Sequence, residues 1–299
     1  FYGSPWNRGD GIRLAQSVGA KLWHMNNFAG PYFGPKLVRE EDKAPEFAEA
    51  NLLSYSPLAF STSKDFIYIG PDGKRYTNED TARTARHGKV WVGGTYAMQA
   101  IPSPAWAIVG QQCYDLGAPV SALFPENGWA NTLGLNPCDS NDGYLDAGVI
   151  VRCESAEDIT EATGIPAYRI EETLATYNRY VEDGMDLDFH RGCAVYPYGT
   201  SAGDPDAVAT TEAYALDPLT PPYYVFRYEG GILNTQGGPQ RTEKGEVVDV
   251  FDQVIPRLYA AGELGTVYSY NYNGGGNVSD ALASGRVAAR AVAALEPWE

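Results

Sequence analysis

The sequence is poor in the side chains that build metal sites and disulfide frameworks. Its 299 residues include only four cysteines and three histidines. No two cysteines form a CxxC pair, and His24, His87 and His190 are not spaced with them as zinc ligands. We therefore expect no metal site. We interpret the cysteines as structural thiols, because four are too few for a disulfide framework in a chain this long.

Positive charge is also scarce. The chain has 22 lysines and arginines against 38 aspartates and glutamates, which gives a formal net charge of -16. Such a surface would repel the phosphates of DNA or RNA, so we expect no nucleic-acid partner. A small anionic substrate stays compatible with the sequence, because a local arginine can still create a positive pocket.

Long apolar runs are absent as well, so we expect no membrane span. Hydrophobic residues make up 44% of the chain, enough for a buried core, and the length allows two domains. The chain begins at Phe1 rather than at methionine, so the lack of a leader indicates little about the compartment. We expect a soluble protein of the bacterial cytoplasm or the cell envelope.

The most informative stretch lies near the C-terminus. Residues 258–263 (LYAAGE) end an apolar run at a glycine, residues 272–277 (YNGGGN) follow, and the segment from Val278 is helical by composition. Asn277 or Ser279 is the predicted helix cap. A helix start behind a glycine loop suits a phosphate, a carboxylate or the edge of a cofactor. A tight turn that only packs helix on strand is the alternative.

The remaining pattern predicts mixed α and β structure. An apolar spacing typical of a helix follows Asp10, the predicted cap, and Gly19 ends that helix. A turn at residues 71–74 joins two predicted arms of a β-hairpin. Further predicted elements are helices over 156–163 and 167–183, a polar loop over 183–191, and strands within 103–116, 221–226 and 245–249.

A basic cluster follows the predicted hairpin and contains Arg83, Arg86, His87 and Lys89. Its concentration of positive charge is unusual in so acidic a chain. The alternative interpretation is a solvated helix face, which is the common place for charged side chains.

Taken in order, these motifs resemble the fumarate reductase and 3-ketosteroid dehydrogenase flavoproteins. The C-terminal strand, glycine loop and helix are similar to that family's flavin domain. Residues 235–238 (TQGG) resemble its Thr-x-Gly-Gly strand, and residues 73–79 (GKRYTNE) resemble the Gly-x-Arg-Phe-x-Asn-Glu hairpin of its cap domain. Residues 176–189 are similar to a helix and loop of the same cap. The resemblance covers nearly the whole chain.

The resemblance implies an α/β plus α+β fold, in which a partial, Rossmann-like FAD-binding domain carries an inserted α+β cap domain. We expect residues 1–31 and 223–299 to belong to the FAD-binding domain and residues 32–222 to form the substrate cap. The family's Gly-x-Gly-x-x-Gly segment, which holds the FAD pyrophosphate, does not occur at the beginning of this sequence. We therefore expect this chain alone to hold FAD poorly, and a second chain or a preceding segment to complete the site.

For catalysis, the resemblance implies hydride transfer from reduced FAD to a C=C bond. Arg83 stands four residues after the glutamate of the Asn-Glu motif, where the fumarate-reductase-like members carry their proton donor. Tyrosine occupies this position in the ketosteroid dehydrogenases. Arginine needs a dry site to act as an acid, and its charge can also hold a carboxylate or polarise a carbonyl. Arg86 and His87 are lesser candidates.

The resemblance also predicts the remaining site residues. Substrate contacts fall on Asn234, Gly238 and Gly276, and Tyr272 would hold a substrate carbonyl together with the Gly276 N–H. Because Asn234 and Tyr272 replace the histidine and arginine that anchor a dicarboxylate, we expect an enone or an α,β-unsaturated acid rather than fumarate. The cofactor contacts that the resemblance implies for the flavin are Gly262, Glu263, Gly275, Asn277 and Val278.

Two alternatives from other classes stay open. The first is a flavin dehydrogenase that desaturates a ketone such as a steroid, against which Arg83 argues. The second is a non-catalytic fragment or binding module, because half of the FAD site is not found in the sequence. Neither the electron donor nor the substrate follows from the sequence.

Overall fold

The structure is a computed structural model. It describes residues 6–30, 32–36, 41, 45, 63–79, 89–92, 95–98, 101–116, 140–189, 191, 216–267 and 276–297. Its helices are α1 (Asp10–Ser17), α2 (Gln111–Asp115), α3 (Asn141–Asp146), α4 (Ala156–Thr163), α5 (Ala167–Asp183) and α6 (Gly276–Ala293). Within these described parts, every helix is too short or too polar to cross a lipid bilayer.

The described strands are mostly short and all their pairings are antiparallel. They are β1 (Leu22–Trp23), β2 (Phe28–Ala29), β3 (Tyr32–Pro35), β4 (Phe66–Ile69), β5 (Lys89–Val92), β6 (Thr95–Met98), β7 (Trp106–Val109), β8 (Val151–Cys153), β9 (Tyr223–Gly231), β10 (Asn234–Thr235), β11 (Gly238–Pro239), β12 (Glu246–Val248) and β13 (Val254–Tyr259). The predicted mixture of α and β structure is confirmed.

The chain divides into two compact units. The large unit comprises Phe1–Tyr2 and Pro31–Gly231, and the small unit comprises Gly3–Gly30 and Ile232–Glu299. The predicted domain boundary after residue 222 falls in front of β9. That strand pairs with β3, β7 and β8 in the large unit, so the compact unit extends to Gly231. The assignment of the two units to cap and FAD-binding roles stays a prediction.

A five-stranded sheet forms the centre of the large unit, in the order β3-β9-β7-β4 with β8 also paired to β9. Strands β4 (FIYI) and β7 (WAIV) are continuous apolar runs, and all their residues are buried. Because side chains alternate between the faces of a strand, each run contributes to two hydrophobic clusters. Phe66 and Tyr68 pack in one cluster with residues of α2 and α3, while Ile67 and Ile69 pack in the other with α4 and α5.

Helices α4 and α5 begin and end as predicted. The Ser155 hydroxyl accepts a hydrogen bond from the Asp158 N–H (3.2 Å), and the Asp158 carboxylate accepts one from the Ser155 N–H (3.1 Å). This reciprocal capping box satisfies two N–H groups at the start of α4. Gly164 and Gly184, both with left-handed φ, end the two helices. The buried face of α5 carries Ile170, Leu174, Tyr177 and Tyr180.

The contribution of the Ser155 side chain to the start of α4 can be tested directly. Replacing Ser155 by alanine removes the acceptor for the Asp158 N–H, so we expect the free energy of unfolding to fall by about 1 kcal/mol. Urea denaturation measures the change. Glu161→Ala, on the exposed side of the same helix, is the matched control and should change stability by less than about 0.5 kcal/mol. Equal effects of the two variants would contradict the capping role.

Three local predictions need correction. Asp10 is the first residue of α1 rather than its cap, because Gly9 takes the cap position with φ 79° and no side chain caps the helix. Asn277 and Ser279 lie inside α6, which already begins at Gly276. The second arm of the predicted hairpin is reduced to one bridge between Ile69 and Arg75.

Of the basic cluster, the structure describes only Lys89. Arg83, Arg86 and His87 lie outside the described residues. Lys89 is the first residue of β5, which pairs with β6 from Lys89↔Met98 to Val92↔Thr95. At this position the structure therefore has a strand and not the helix face that the alternative interpretation of the cluster required.

The small unit is built from short strand pairs and two helices. β1 pairs with β11, β2 with β10 and β12 with β13. Ala15 of α1, Ala20, Val247 of β12 and Ala260 form its buried hydrophobic cluster.

Candidate cofactor and active site

The turn at residues 262–265, which follows β13, packs directly on α6. Gly262 follows β13 with φ +71°, and a Cβ added there would lie 3.5 Å from Ala281. Its N–H donates to the Ser284 hydroxyl (2.8 Å), which in turn donates to the Asp280 carbonyl (2.6 Å). The strand, the glycine turn and the helix predicted from the sequence are thus held together by short contacts within the small unit.

Glu263 lies in this turn with an incompletely used carboxylate. The Asn277 side chain donates a hydrogen bond to it, yet Glu263 Oε1 is buried without a partner. Burial raises the pKa of Glu263, and the hydrogen bond from Asn277 offsets part of that rise. Asn277 Oδ1 is likewise buried and unpartnered. Unpaired buried polar atoms cost about 1–3 kcal/mol each, so this pair suits a ligand that brings hydrogen-bond donors.

A second buried pair holds the N-terminal part of α6 through Asp280. Arg241 donates from Nη2 to both Asp280 oxygens (3.1 and 2.9 Å), and the Thr266 hydroxyl donates to Asp280 Oδ2 (2.5 Å). The Arg241 and Asp280 side chains are almost fully buried. These contacts tie the segment after β11, the turn and the helix start into one rigid frame. Sequence reasoning missed all three residues, because their contacts join positions 14 and 39 residues apart.

The two glycines of the Thr-x-Gly-Gly motif allow backbone segments to touch. A Cβ added at Gly238 would lie 2.3 Å from the Gly265 nitrogen, and one at Gly237 would lie 2.9 Å from the Met25 Cα. Larger residues would therefore push apart the strand and the turn that carries Glu263. The described contacts of Gly238 are with backbone, and its predicted role in substrate binding stays a prediction.

The remaining predicted site residues fall into three groups. Gly276 is buried at the first position of α6. Val278, two residues further along the helix, is 65% exposed. Asn234 lies in β10 opposite Ala29, with its Oδ1 buried and unpartnered. Arg83, Tyr272 and Gly275 lie outside the described residues. In the small unit, the structure thus brings together Gly262, Glu263, Gly276 and Asn277.

In the large unit, the Asn-Glu motif ends in a buried ionic cluster. Arg75 donates from Nε to Glu79 Oε1 (2.8 Å), and its Nη2 donates to Glu79 Oε2 (2.7 Å) and Asp186 Oδ2 (2.8 Å). Arg191 Nη1 lies 3.5 Å from Glu79 Oε2 and also donates to the Phe66 carbonyl (2.5 Å). The cluster fixes Arg75 and Glu79 in the described part of the motif.

This cluster corrects the prediction of a plain polar loop over residues 183–191. Asp186 and Arg191 are almost completely buried. Burial alone would raise the pKa of Asp186, but the hydrogen bond and charge of Arg75, with backbone N–H groups of Phe189 and Arg191, hold it below its ordinary value. Burial tends to lower the pKa of Arg75, and Glu79 and Asp186 reverse that tendency and raise it.

Two of the four cysteines lie among the described residues. Cys113 and Cys153 are buried free thiols, and burial raises the pKa of Cys153 to about 12, so its reactive thiolate is suppressed. Within the ranges the structure describes, no group of three histidine, cysteine, aspartate or glutamate side chains could hold a metal ion.

Comparison with known proteins adds a family and several relatives. The family described as "FAD binding domain" matches residues 1–279. The 3-oxosteroid 1-dehydrogenase of Mycolicibacterium smegmatis is 30% identical over 98% of this chain and 47% of its own length. The fumarate reductase (cytochrome) of Shewanella frigidimarina is 32% identical over 49% of this chain and 22% of its own length.

Solved structures agree at the level of the fold. The 3-ketosteroid Δ1-dehydrogenase of Sterolibacterium denitrificans, solved with 1,4-androstadiene-3,17-dione, superposes with a TM-score of 0.62 at 24% identity. The match covers 98% of this chain and 48% of that structure. Both dehydrogenase matches cover almost all of this chain but only about half of the relative. The chain therefore spans about half the length of these two proteins.

Proposed function

Because this chain belongs to the FAD binding domain family, we propose that it forms part of a flavin-dependent oxidoreductase acting on a carbon–carbon bond next to a carbonyl group. FAD is the cofactor of this family. The relatives that match most of the chain include a 3-oxosteroid 1-dehydrogenase and an NADH:acrylate oxidoreductase, whose names both describe such chemistry.

The observation that carries the proposal is the pair Glu263 and Asn277. Each keeps one buried oxygen without a partner. Glu263 lies in the turn after Gly262, and Asn277 is the second residue of α6. These acceptors fit the hydroxyl and N–H donors of a flavin and its ribityl chain. The start of α6 adds the positive end of a helix dipole, which favours negative charge. The residues of the small unit therefore fit FAD.

In this proposal, Gly262, Glu263 and Gly275 bind the ribityl side of the cofactor. Gly276, Asn277 and Val278 present backbone N–H groups to the edge of its ring. FAD, when bound, supplies two-electron hydride transfer to or from carbon. The role of these residues is to orient the ring and to stabilise negative charge on its edge when it is reduced.

For the direction of the reaction, we propose reduction of an enone or an α,β-unsaturated acid. Arg83, at the position of the proton donor in the fumarate-reductase-like members, would deliver a proton to the substrate carbon. The Tyr272 hydroxyl and the Gly276 N–H would hold the substrate carbonyl, with Asn234 and Gly238 beside them. The neutral donors of Tyr272 and Gly276 would thus polarise the substrate carbonyl, and the Arg83 cation would supply the proton.

A second candidate is a dehydrogenase that desaturates a ketone. It is favoured by the 30% identity to a 3-oxosteroid 1-dehydrogenase along almost the whole chain. Both candidates use the flavin and the carbonyl anchor. They differ in the proton-transfer residue that the family carries at the position of Arg83, which is arginine in the fumarate-reductase-like members and tyrosine in the ketosteroid dehydrogenases. Arginine gives up a proton less readily than tyrosine, but it holds charge on the substrate better. We therefore place the reductase first.

A direct comparison of the two reaction directions tests the proposal. The assay uses the complete natural protein, with every segment or chain that its FAD site requires. We expect anaerobic reduction of cyclohexenone or crotonate by reduced viologen to exceed dye-coupled oxidation of cyclohexanone, and fumarate to be a poor substrate. Faster oxidation would favour the dehydrogenase. A complete protein that binds these ketones but no FAD would instead be a binding module.

A further inference from the structure

Gln236 has the least satisfied side chain in the described part of the small unit. Its residue is 0% exposed, and both Nε2 and Oε1 are buried without a hydrogen-bond partner. A carboxamide is both a donor and an acceptor. Leaving each of these atoms unpaired destabilises the folded chain, so a fully buried glutamine is expected to have a partner that offers both functions.

The backbone around Gln236 places it beside the candidate cofactor site. Its N–H donates to the Asn27 carbonyl (3.1 Å), which anchors the link between β10 and β11. The next carbonyl, that of Gly237, accepts from the Gly265 N–H (3.3 Å). Gly265 belongs to the same turn as Glu263, only two residues further along. Gln236 therefore belongs to the same backbone frame as the Glu263–Asn277 pair.

Other unpartnered groups strengthen this placement. Glu263 Oε1, Asn277 Oδ1 and Asn234 Oδ1 are also buried and unpartnered, and all lie in the small unit. The free atoms of Glu263, Asn277 and Asn234 are acceptors only, whereas Gln236 offers a donor and an acceptor together. Arg241 Nη1, a donor, is also buried and unpartnered in this unit. A single ligand with hydroxyls along a chain and an imide at the edge of a ring would satisfy the free atoms of Glu263, Asn277 and Gln236.

We infer that the Gln236 carboxamide binds the imide edge of the FAD ring, with Nε2 donating to a ring carbonyl and Oε1 accepting from the ring N–H. This inference rests on the proposed function. A ketone or carboxylate substrate offers acceptors alone and would leave Oε1 unpaired, whereas the imide satisfies both atoms. Gln236 is then a positioning residue for the cofactor, at the variable position of the Thr-x-Gly-Gly motif.

The inference predicts that one substitution has opposite effects on the empty and the loaded protein. Gln236→Met has nearly the same volume and no strong hydrogen-bonding group. We expect it to raise the thermal midpoint of the FAD-free protein, because two unpaired polar atoms disappear. It should also raise the dissociation constant for FAD about tenfold, because the bonds to the imide are lost. A purely structural glutamine would give a different result: its replacement would lower the thermal midpoint of the FAD-free protein and weaken FAD binding together.

Flavin titration and thermal unfolding of the complete protein, with and without FAD, measure both effects. Gln253→Met, on an exposed side chain of the same unit, is the matched control and should leave both values unchanged. Gln236→Glu keeps one acceptor and loses the donor, so it should also weaken FAD binding. Unchanged FAD affinity in both Gln236 variants would overturn this inference alone. A wild-type protein that binds no FAD would overturn the proposed function and this inference together.

Discussion

Arg83→Gln is expected to lower kcat for C=C reduction by about 100- to 10,000-fold, the usual contribution of a positioned general acid. The glutamine keeps hydrogen-bond donors and loses the charge, and it leaves the proposed FAD contacts of the small unit unchanged. Anaerobic turnover with reduced viologen and cyclohexenone measures the loss. The visible spectrum of the same sample should show that the variant retains its flavin.

The neighbouring arginine provides the control for this prediction. Arg86→Gln removes the same charge from the same basic segment and should change kcat less than about threefold. Arg83→Lys should also be severely impaired, because a compact ammonium group does not reproduce the planar guanidinium. Near-full turnover of Arg83→Lys would count heavily against Arg83 as the proton donor.

The second large effect concerns stability. Arg75→Met should lower the free energy of unfolding by about 3–5 kcal/mol, because it leaves Glu79 and Asp186 buried without their cation. The Arg75 side chain is 4% exposed and contacts both carboxylates within 2.8 Å. Urea denaturation gives the change, and a loss below about 1 kcal/mol would contradict the account of the cluster.

Arg152→Met is the matched control. Arg152 and Glu154 also form an ion pair, at 2.5 Å, but the two side chains are 48% and 56% exposed. Solvent screens such pairs, and they are typically worth no more than about 1 kcal/mol. The contrast between the two arginines therefore separates the cost of unpaired buried charge from the loss of any arginine side chain.

The pH dependence of stability checks the same cluster. Arg75 holds the pKa of Asp186 below its ordinary value in the folded chain. A lowered folded pKa stabilises the protein above the unfolded pKa, about 3.9 for aspartate, and this stabilisation is lost as the pH falls through the folded pKa. The difference in stability between wild type and Arg75→Met should therefore shrink below about pH 4. A difference that stays constant down to pH 2 would contradict the pairing.

Local sequence rules predicted the elements whose determinants lie close together in the chain. Helix α4 follows from its acidic first turn and the glycine and proline after it, and helix α5 follows from an apolar period, all within a few residues of each other. The same rules were wrong for Asp10, Asn277 and Ser279, because cap preference does not determine which residue takes the cap position. Gly9 took that position before Asp10 in the structure, and α6 already begins at Gly276.

Long-range contacts were beyond the sequence pattern. Asp186 and Arg191 lie in a stretch with the composition of an exposed loop, and their partner Arg75 is 111 residues from Asp186. Likewise, the contacts among Arg241, Thr266 and Asp280 join positions 14 and 39 residues apart and form only when the strands, turn and helix assemble. Gln236 carried no sequence signal beyond its place in the Thr-x-Gly-Gly motif.

The order of the motifs predicted more than any single motif. The glycine loop alone was compatible with a plain turn, whereas its position after the Asn-Glu and Thr-x-Gly-Gly motifs predicted the flavoprotein family. That prediction is confirmed by the family match over residues 1–279 and by the fold of solved relatives. The C-terminal stretch gains a specific interpretation from this context, as the ring edge of a flavin site rather than a phosphate loop.

The most direct test is a crystal structure of the complete protein grown with FAD. We expect Glu263 Oε1 and Asn277 Oδ1 to lie within hydrogen-bonding distance of the cofactor, about 2.7–3.2 Å, with the ring edge at the start of α6. FAD bound elsewhere, with both oxygens still unpartnered, would contradict the account.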